Sequence, residues 1–348
     1  MLKKKLIYLF VNFIVIILVL EILSRIFFHN EYSQNRKNYL HQPNKNINFK
    51  IDKLYDNSPA EIIFKTDNLG GIINKYDEEN IVNYEIVAFG GSTLESALVP
   101  FGFRWNDLTD FKVKNYGKSR LMSAQNLVNL EYVLDKKKVQ TVFIMDSVNN
   151  FYYFLNKQSS NNKNNPENLK DKILSNFYFL SIIYNFVKKN NYNKFYEIQN
   201  KIFENKKNIT QKEIDFFWNK NLKELLLFEK QIIKDYLILG RKHQVEIIFI
   251  LQPHGYNNSY SQNANLITNF VIDNKKLSQE QSLKLINNYY EILINLYNNF
   301  NVNHFDAETC IAKKKLTDLF YDRLHFTKKG SKMFANCLDD YVKKTKLM

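Results

Sequence analysis

The chain has 348 residues, 45% of them hydrophobic and 24% charged, enough to bury a sizeable core and too apolar for a disordered segment. Nine glycines and five prolines exclude collagen-like and Pro-rich architectures, and the net charge of +14 is spread over lysines without a recognition motif, zinc finger or basic arm, so nucleic acid is not an expected partner. Two cysteines, Cys310 and Cys337, are too few for a disulfide scaffold and form no Cys/His cluster, so no metal or other cofactor is expected; both are read as buried free thiols, with a disulfide between them as the alternative.

The first element is an apolar run from Leu6 to Phe28, interrupted by Asn12, Glu21, Ser24 and Arg25. At about 1.5 Å per residue it is long enough to cross a hydrocarbon core of roughly 30 Å. Lys3, Lys4 and Lys5 precede it, and basic clusters stay cytoplasmic, which places everything after about His29 on the outer side. The bulky, charged stretch Glu21 to Phe28 offers no small-residue cleavage site, so residues 6–28 read as an uncleaved single-pass membrane anchor. A polar stalk or linker, 30–59, follows, and the remaining 60–348 read as one domain.

Within that domain five strand-length apolar runs recur: Tyr84–Phe89, Phe111–Tyr116, Val139–Met145, Val245–Leu251 and Val302–Phe305. Helical patterns lie between them, including Ile214–Leu239 and Ser282–Asn299, and Lys329–Lys343 reads as a closing helix. Alternation of this kind predicts an α/β fold, a doubly wound parallel five-stranded sheet covered on both faces. The stretch 151–244 interrupts the alternation and reads as a helical insertion forming a cap or lid, with a helix over Asn176–Lys189 and a polar loop at Ser159–Asn165. The aromatic stretch Phe177–Tyr184 reads first as packing within that insertion.

Ligands of open parallel sheets bind beyond the carboxyl ends of the strands, so the residues just after each run are the informative ones. Gly90-Gly91-Ser92-Thr93 follows the first, Gly117-Lys118-Ser119 the second, Asp146-Ser147-Val148-Asn149-Asn150 the third and Gln252-Pro253-His254 the fourth; Asp322-Arg323-Leu324-His325 precedes the last helix. A serine in a glycine-flanked turn can act as a nucleophile if a histidine takes its proton and a carboxylate orients that histidine. Asp322 and His325 have the spacing for the second pairing if their turn is helical. The backbone N–H of Gly117 and the side-chain amide of Asn149 could serve a developing oxyanion. His254 could contact substrate, although a hydrogen-bonded structural role is the simpler reading. His243 and His304 are taken as structural or exposed, and Asp306 as a turn or cap residue.

These blocks resemble the four ordered blocks of the SGNH/GDSL hydrolases: Phe89-Gly90-Gly91-Ser92-Thr93, Asn115-Tyr116-Gly117, Asp146-Ser147-Val148-Asn149 and Asp322-Arg323-Leu324-His325. The leader Thr66-Asp67-Asn68-Leu69-Gly70-Gly71 is similar to one in membrane-anchored members. The resemblance implies a flavodoxin-like fold with Ser92 as nucleophile, His325 as base, Asp322 as its orienter, and Ser92 N–H, Gly117 and Asn149 as the oxyanion hole. Three positions depart from the family pattern: Gly91 stands where the family has Asp, Ser147 where Gly is usual, and Asn150 where Asp is usual. The expected function is an anchored serine esterase whose partner is an acylated cell-envelope glycan or a small ester. The alternatives are an acyltransferase using the same acyl-serine intermediate and a catalytically silent binding or assembly protein.

Overall fold

The computed structural model describes residues 39–51, 60–77, 84–160, 206–257, 270–273, 275–313 and 317–347, together with Asn12, Ile16 and Val19. The apolar run 6–28 lies outside the described residues except for those three isolated, helical positions. Among the described residues no helix is long and apolar enough to cross a membrane.

An antiparallel hairpin of β1 (Asn46–Ile51) and β2 (Ala60–Lys65) leads into the central sheet. That sheet contains β3 (Ile86–Gly90), β4 (Val113–Asn115), β5 (Thr141–Met145), β6 (Glu246–Leu251) and β9 (His304–Asp306). Its order is β4-β3-β5-β6-β9 and every pairing is parallel. Each of the five strands overlaps one of the apolar runs in the sequence. Strands covered on both faces need no polar face, so β3 and β5 are buried at every position.

The alternation of side chains divides the core into two layers. Val87, Phe89, Val142, Ile144, Ile247 and Phe249 face one side, against α3 (Ser123–Leu134), α5 (Gln211–His243) and α6 (Gln279–Asn299). Ile86, Ala88, Val113, Phe143, Met145, Ile248 and Ile250 face the other, against α2 (Trp105–Leu108), α7 (Ala307–Ala312) and α8 (Lys328–Thr345). Two further helices, the four-residue α1 (Ser92–Glu95) and the longer α4 (Ser147–Ser160), start just after β3 and β5. A small ribbon of β7 (Val271–Ile272) and β8 (Lys275–Lys276) precedes α6.

Three expectations change. The stretch read as a stalk, 30–59, contains β1, whose Asn46-Ile47-Asn48-Phe49-Lys50-Ile51 alternates polar and apolar as a half-exposed strand does. The stretch 151–244, read as a cap, is core at both described ends. Phe151, Phe154 and Leu155 belong to the main hydrophobic cluster, and so do Ile232, Ile233, Tyr236 and Leu239 of α5. That helix is the crossover from β5 to β6. Ser159 and Ser160 close α4 instead of opening a loop, while 161–205, with the expected helix 176–189 and aromatic stretch 177–184, lies outside the described residues. Finally, Cys310 and Cys337 are bonded to each other, Cα to Cα 6.2 Å apart, linking α7 to α8, so neither is a free thiol.

Candidate active site

The strand order reverses between β3, which has β4 on one side, and β5, reached on the other, and the crevice of an open parallel sheet is expected at the carboxyl ends of the strands at such a switch point. Ser92 opens α1 there and is half-buried. As the first residue of a helix it carries a backbone N–H without an intrahelical acceptor. The four-residue helix is pinned from below: Trp105 Nε1 and Asn115 Nδ2 both donate to the Leu94 carbonyl, at 2.8 and 2.7 Å.

Asp322 and His325 arrive on a loop whose ends are held by an antiparallel bridge between Phe320 and Phe326. Their turn is not helical. Instead Asp322 Oδ1 accepts the backbone N–H groups of Leu324 and His325, at 2.7 and 2.8 Å, which folds the carboxylate back toward the ring. Its Oδ2 lies 2.6 Å from His325 Nδ1, and His325 Nε2 lies 2.8 Å from Ser92 Oγ. With Nδ1 facing a carboxylate, Nδ1 carries the proton and Nε2 is the acceptor facing the hydroxyl. The His325 side chain is 27% exposed, whereas that of Asp322 is 5% exposed. Burial alone would lower the His325 pKa, but the charge and hydrogen bond of Asp322 outweigh it and raise the value above the ordinary imidazole range. Burial would likewise raise Asp322, and His325 together with the two backbone amides holds it below the usual carboxylate range.

Two residues not singled out by the sequence fasten the loop to the nucleophile. Thr93, adjacent to Ser92, donates its hydroxyl to the Leu324 carbonyl at 2.9 Å, and Gln252 Nε2 donates to Thr93 Oγ1 at 2.8 Å.

Asn149 stands in the first turn of α4, its Nδ2 donating to the Leu121 carbonyl at 2.7 Å. The same amide lies against Gly91, where a Cβ would come within 2.1 Å of Nδ2. The second amide hydrogen of Asn149 is the one an oxyanion could take. Gly117 is placed on the same rim, but its N–H is donated to Asn115 Oδ1 at 2.8 Å, so an oxyanion would have to share or displace that bond. The unusual Asn150 has its own purpose: it accepts Ser123 N–H at 3.0 Å and donates to Ser123 Oγ at 2.6 Å. Asp146 accepts from Ser123 Oγ and Tyr236 Oη at 2.7 and 2.9 Å, so the third block is clamped to α3 and α5 beneath the site.

His254 is not in the crevice. Its side chain is fully buried, packed edge-on to Tyr256 at 5.3 Å between ring centroids, and its backbone N–H donates to Glu308 Oε2 at 2.8 Å. Neither ring nitrogen has a hydrogen-bond partner among the described residues, and burial pushes its pKa down to about 3. Buried this fully, His254 is a packing residue and not the substrate contact that its place after a strand suggests. Asp306 caps α7 by accepting Thr309 N–H at 2.8 Å. His304 tilts over Tyr297, and His243 lies 3.8 Å from Asp135 Oδ1, both away from the triad. No group of three or more metal-binding side chains occurs among the described residues.

No protein-family model and no curated protein matches the chain. Among solved structures it is similar to a member of the lipolytic protein G-D-S-L family from Veillonella parvula, at 11% identity over 75% of this chain and 100% of that one, with a TM-score of 0.42. It is also similar to an acetyl xylan esterase, at 12% identity over 74% and 99% of the two chains with a TM-score of 0.40, and to the aryl esterase of M. smegmatis, at 12% identity over 76% and 99% with a TM-score of 0.39.

Proposed function

We propose that the chain is an SGNH-type serine hydrolase that cleaves an O-acyl ester through an acyl-Ser92 intermediate. One observation carries this reading: Ser92 Oγ, His325 and Asp322 form a continuous hydrogen-bonded chain of 2.8 and 2.6 Å at the switch point of a parallel sheet. Ser92 Oγ attacks the ester carbonyl as His325 Nε2 takes its proton, and Asp322 stabilises the imidazolium that forms. The oxygen that becomes anionic is met by the Ser92 N–H and by Asn149 Nδ2. His325 then returns the proton to the departing alkoxide, leaving the acyl group on Ser92 until water attacks the ester with His325 again as base.

The membrane-anchored, outward-facing placement and an envelope glycan as substrate belong to the same proposal. Support comes from the apolar run behind Lys3–Lys5 and from the Cys310–Cys337 bond, a linkage that persists in oxidising compartments. Reporter fusions after His29 and at the C-terminus test the placement, and activity of both fusions in the cytosol would end it. The chemistry is tested by treating the full-length protein with a fluorophosphonate. Covalent labelling at Ser92, lost in Ser92→Ala and in His325→Ala, is the expected result; an unlabelled wild-type protein would refute the serine-hydrolase reading. Discharge of the acyl-enzyme by an added glycan faster than by water would turn the hydrolase into a transferase.

A further inference from the structure

The leader Thr66-Asp67-Asn68-Leu69-Gly70-Gly71, to which catalysis gives no task, holds the preceding segment in place. Thr66 Oγ1 donates to the Gln42 carbonyl at 2.6 Å and accepts Lys45 N–H at 2.9 Å. Asp67 Oδ1 accepts the amides of Leu69 and Gly71, each at 2.8 Å, which fixes a turn in which Gly70 has φ +86°. Any side chain at Gly70 would be strained, and its Cβ would fall 2.2 Å from the His41 carbonyl oxygen. The turn is shaped so that the backbone of residue 41 can lie directly on it.

The His41 side chain points the other way, into the support of the site. Its Nε2 lies 3.2 Å from the Gly117 carbonyl oxygen and 3.1 Å from Glu95 Oε1. Both neighbours are acceptors, so Nε2 carries a hydrogen in either charge state of the ring. Glu95 Oε2, in turn, accepts the N–H of Ser119 at 2.8 Å and also its hydroxyl. Between these two, Lys118 Nζ donates to the carbonyls of Tyr39 and Leu40, both at 2.9 Å. Three successive residues of the loop after β4 are thus each tied down: Gly117 by His41, Lys118 by the backbone of 39–40, and Ser119 by Glu95. Glu95 closes the same short helix that Ser92 opens, so His41 touches both the nucleophile's helix and the loop that faces Asn149 through Leu121.

We infer that His41 is a positioning residue of the active site, its Nε2–H bridging the Gly117 carbonyl and the Glu95 carboxylate so that the loop 115–121 and the nucleophile helix keep a fixed spacing. The inference rests on the reading of Ser92 as nucleophile. Its consequence is that the segment just before the hairpin, expected from the sequence to be a mere stalk, is part of the site's scaffold. A ring that only filled space would be replaced by phenylalanine without loss; a ring that bridges two acceptors would be replaced better by glutamine.

The test compares His41→Phe and His41→Gln in the full-length protein by two measurements. One is turnover of p-nitrophenyl acetate. The other is amide hydrogen exchange in 115–121, with β5 as the internal reference for the core. In His41→Phe, kcat should fall roughly 10- to 10²-fold with KM within about twofold, because a small displacement of catalytic groups is enough for such a loss. His41→Gln should recover most of it. Exchange in 115–121 should accelerate in His41→Phe alone, with β5 unchanged. Wild-type kcat and exchange in His41→Phe would overturn the inference, and so would faster exchange in β5 or failure of His41→Phe to fold, which would make His41 a residue of the general core. If the wild-type protein neither hydrolyses the ester nor takes the fluorophosphonate, the esterase reading fails by itself, while the exchange comparison still decides whether His41 clamps the loop.

Discussion

Gly91 and Asn149 meet so closely that no side chain fits on the first unless the amide moves: a Cβ at Gly91 would lie 2.1 Å from Asn149 Nδ2 and 2.9 Å from its Cγ. The resemblance to SGNH hydrolases expects Asp at this position, and the structure gives a physical reason for glycine, since an Asp would displace the Asn149 amide, the proposed oxyanion donor. Gly91→Asp is therefore expected to lose activity as Asn149→Ala does, by about 10²–10³ in kcat. Because both changes remove the same donor, the double variant should be little worse than either single one. Wild-type turnover in Gly91→Asp, or additive losses in the double variant, would show that Asn149 is not the donor.

The raised pKa of His325 sets the acid side of the pH profile. In the proposed reaction the neutral ring is the base, and Asp322 outweighs burial in favouring the charged one, so activity should fall, as pH drops, at a value above the usual ~6.5 of histidine. Asp322→Asn removes that charge and should move the acid limb downward while lowering kcat on the order of 10⁴-fold, because Nδ1 no longer faces an obligate acceptor. The stability that the pair contributes runs with the opposite sense for the histidine: it is fully present below the unfolded value and is lost as pH rises through the folded one. A kcat/KM profile whose acid limb does not move in Asp322→Asn would contradict the hydrogen-bonded chain.

Much of this was readable in the sequence, for identifiable reasons. Strands buried on both faces, such as Thr141–Met145, are unbroken apolar runs, and the residues after them are where an open sheet places its chemistry. That logic reaches Ser92 and Asn149; Asp322 and His325, which precede the last helix, are reached by their spacing and by the resemblance to the SGNH blocks. Thr93 and Gln252 also stand just after strands, but their role, like that of Glu95 and His41, lies in long-range contacts: Thr93 meets Leu324 and Gln252 across the sheet, and His41 meets Gly117 from the other side of the hairpin. The hairpin is hidden because β1 is half polar; helix α5 is legible as a helix, but not as the crossover, because its buried stripe looks the same whether it covers a sheet or forms a cap. His254 shows the opposite failure. A histidine after a strand and a proline has the address of a site residue, and only its burial reveals that it packs against Tyr256 instead.

Beneath the third block a buried carboxyl makes stability depend on pH. Tyr289 Oη lies 2.8 Å from Glu229 Oε1 and 3.0 Å from the Ser147 carbonyl, and a hydroxyl has one hydrogen for two acceptors. A protonated Glu229 resolves the conflict by donating to Tyr289, which then donates to Ser147. Burial raises the Glu229 pKa to about 8, with Asp146 adding to the rise against the Tyr289 hydrogen bond. The folded state therefore holds a proton that the unfolded state releases near its ordinary value. Stability is lost as pH rises from the unfolded pKa toward about 8. Glu229→Gln should remove this slope and raise the urea midpoint at pH 8 relative to wild type, with little difference at pH 4. Equal midpoints at both pH values would argue against a protonated Glu229.

The bond between Cys310 and Cys337 spans 27 residues and encloses both Asp322 and His325. In the chain-entropy account, closing a loop of this length stabilises the folded state by about 3–4 kcal/mol, by restricting the unfolded chain. The triad's geometry, however, is fixed by local bonds inside the loop: Tyr321 N–H to the His325 carbonyl at 3.1 Å, Thr327 N–H to the Leu319 carbonyl at 3.0 Å, and the two backbone amides on Asp322 Oδ1. Stability and catalysis should thus separate. The Cys310→Ser, Cys337→Ser double variant is expected to unfold at clearly lower urea, and reductant should shift wild type to the same midpoint, while kcat well below the melting range stays within about twofold of wild type. A large loss of kcat in the still-folded variant would mean that the bond shapes the site. Thiol titration of protein isolated under alkylating conditions completes the test. No free thiols are expected, and two would show that the bond does not form in the cell, removing one of the two supports for an outward-facing domain.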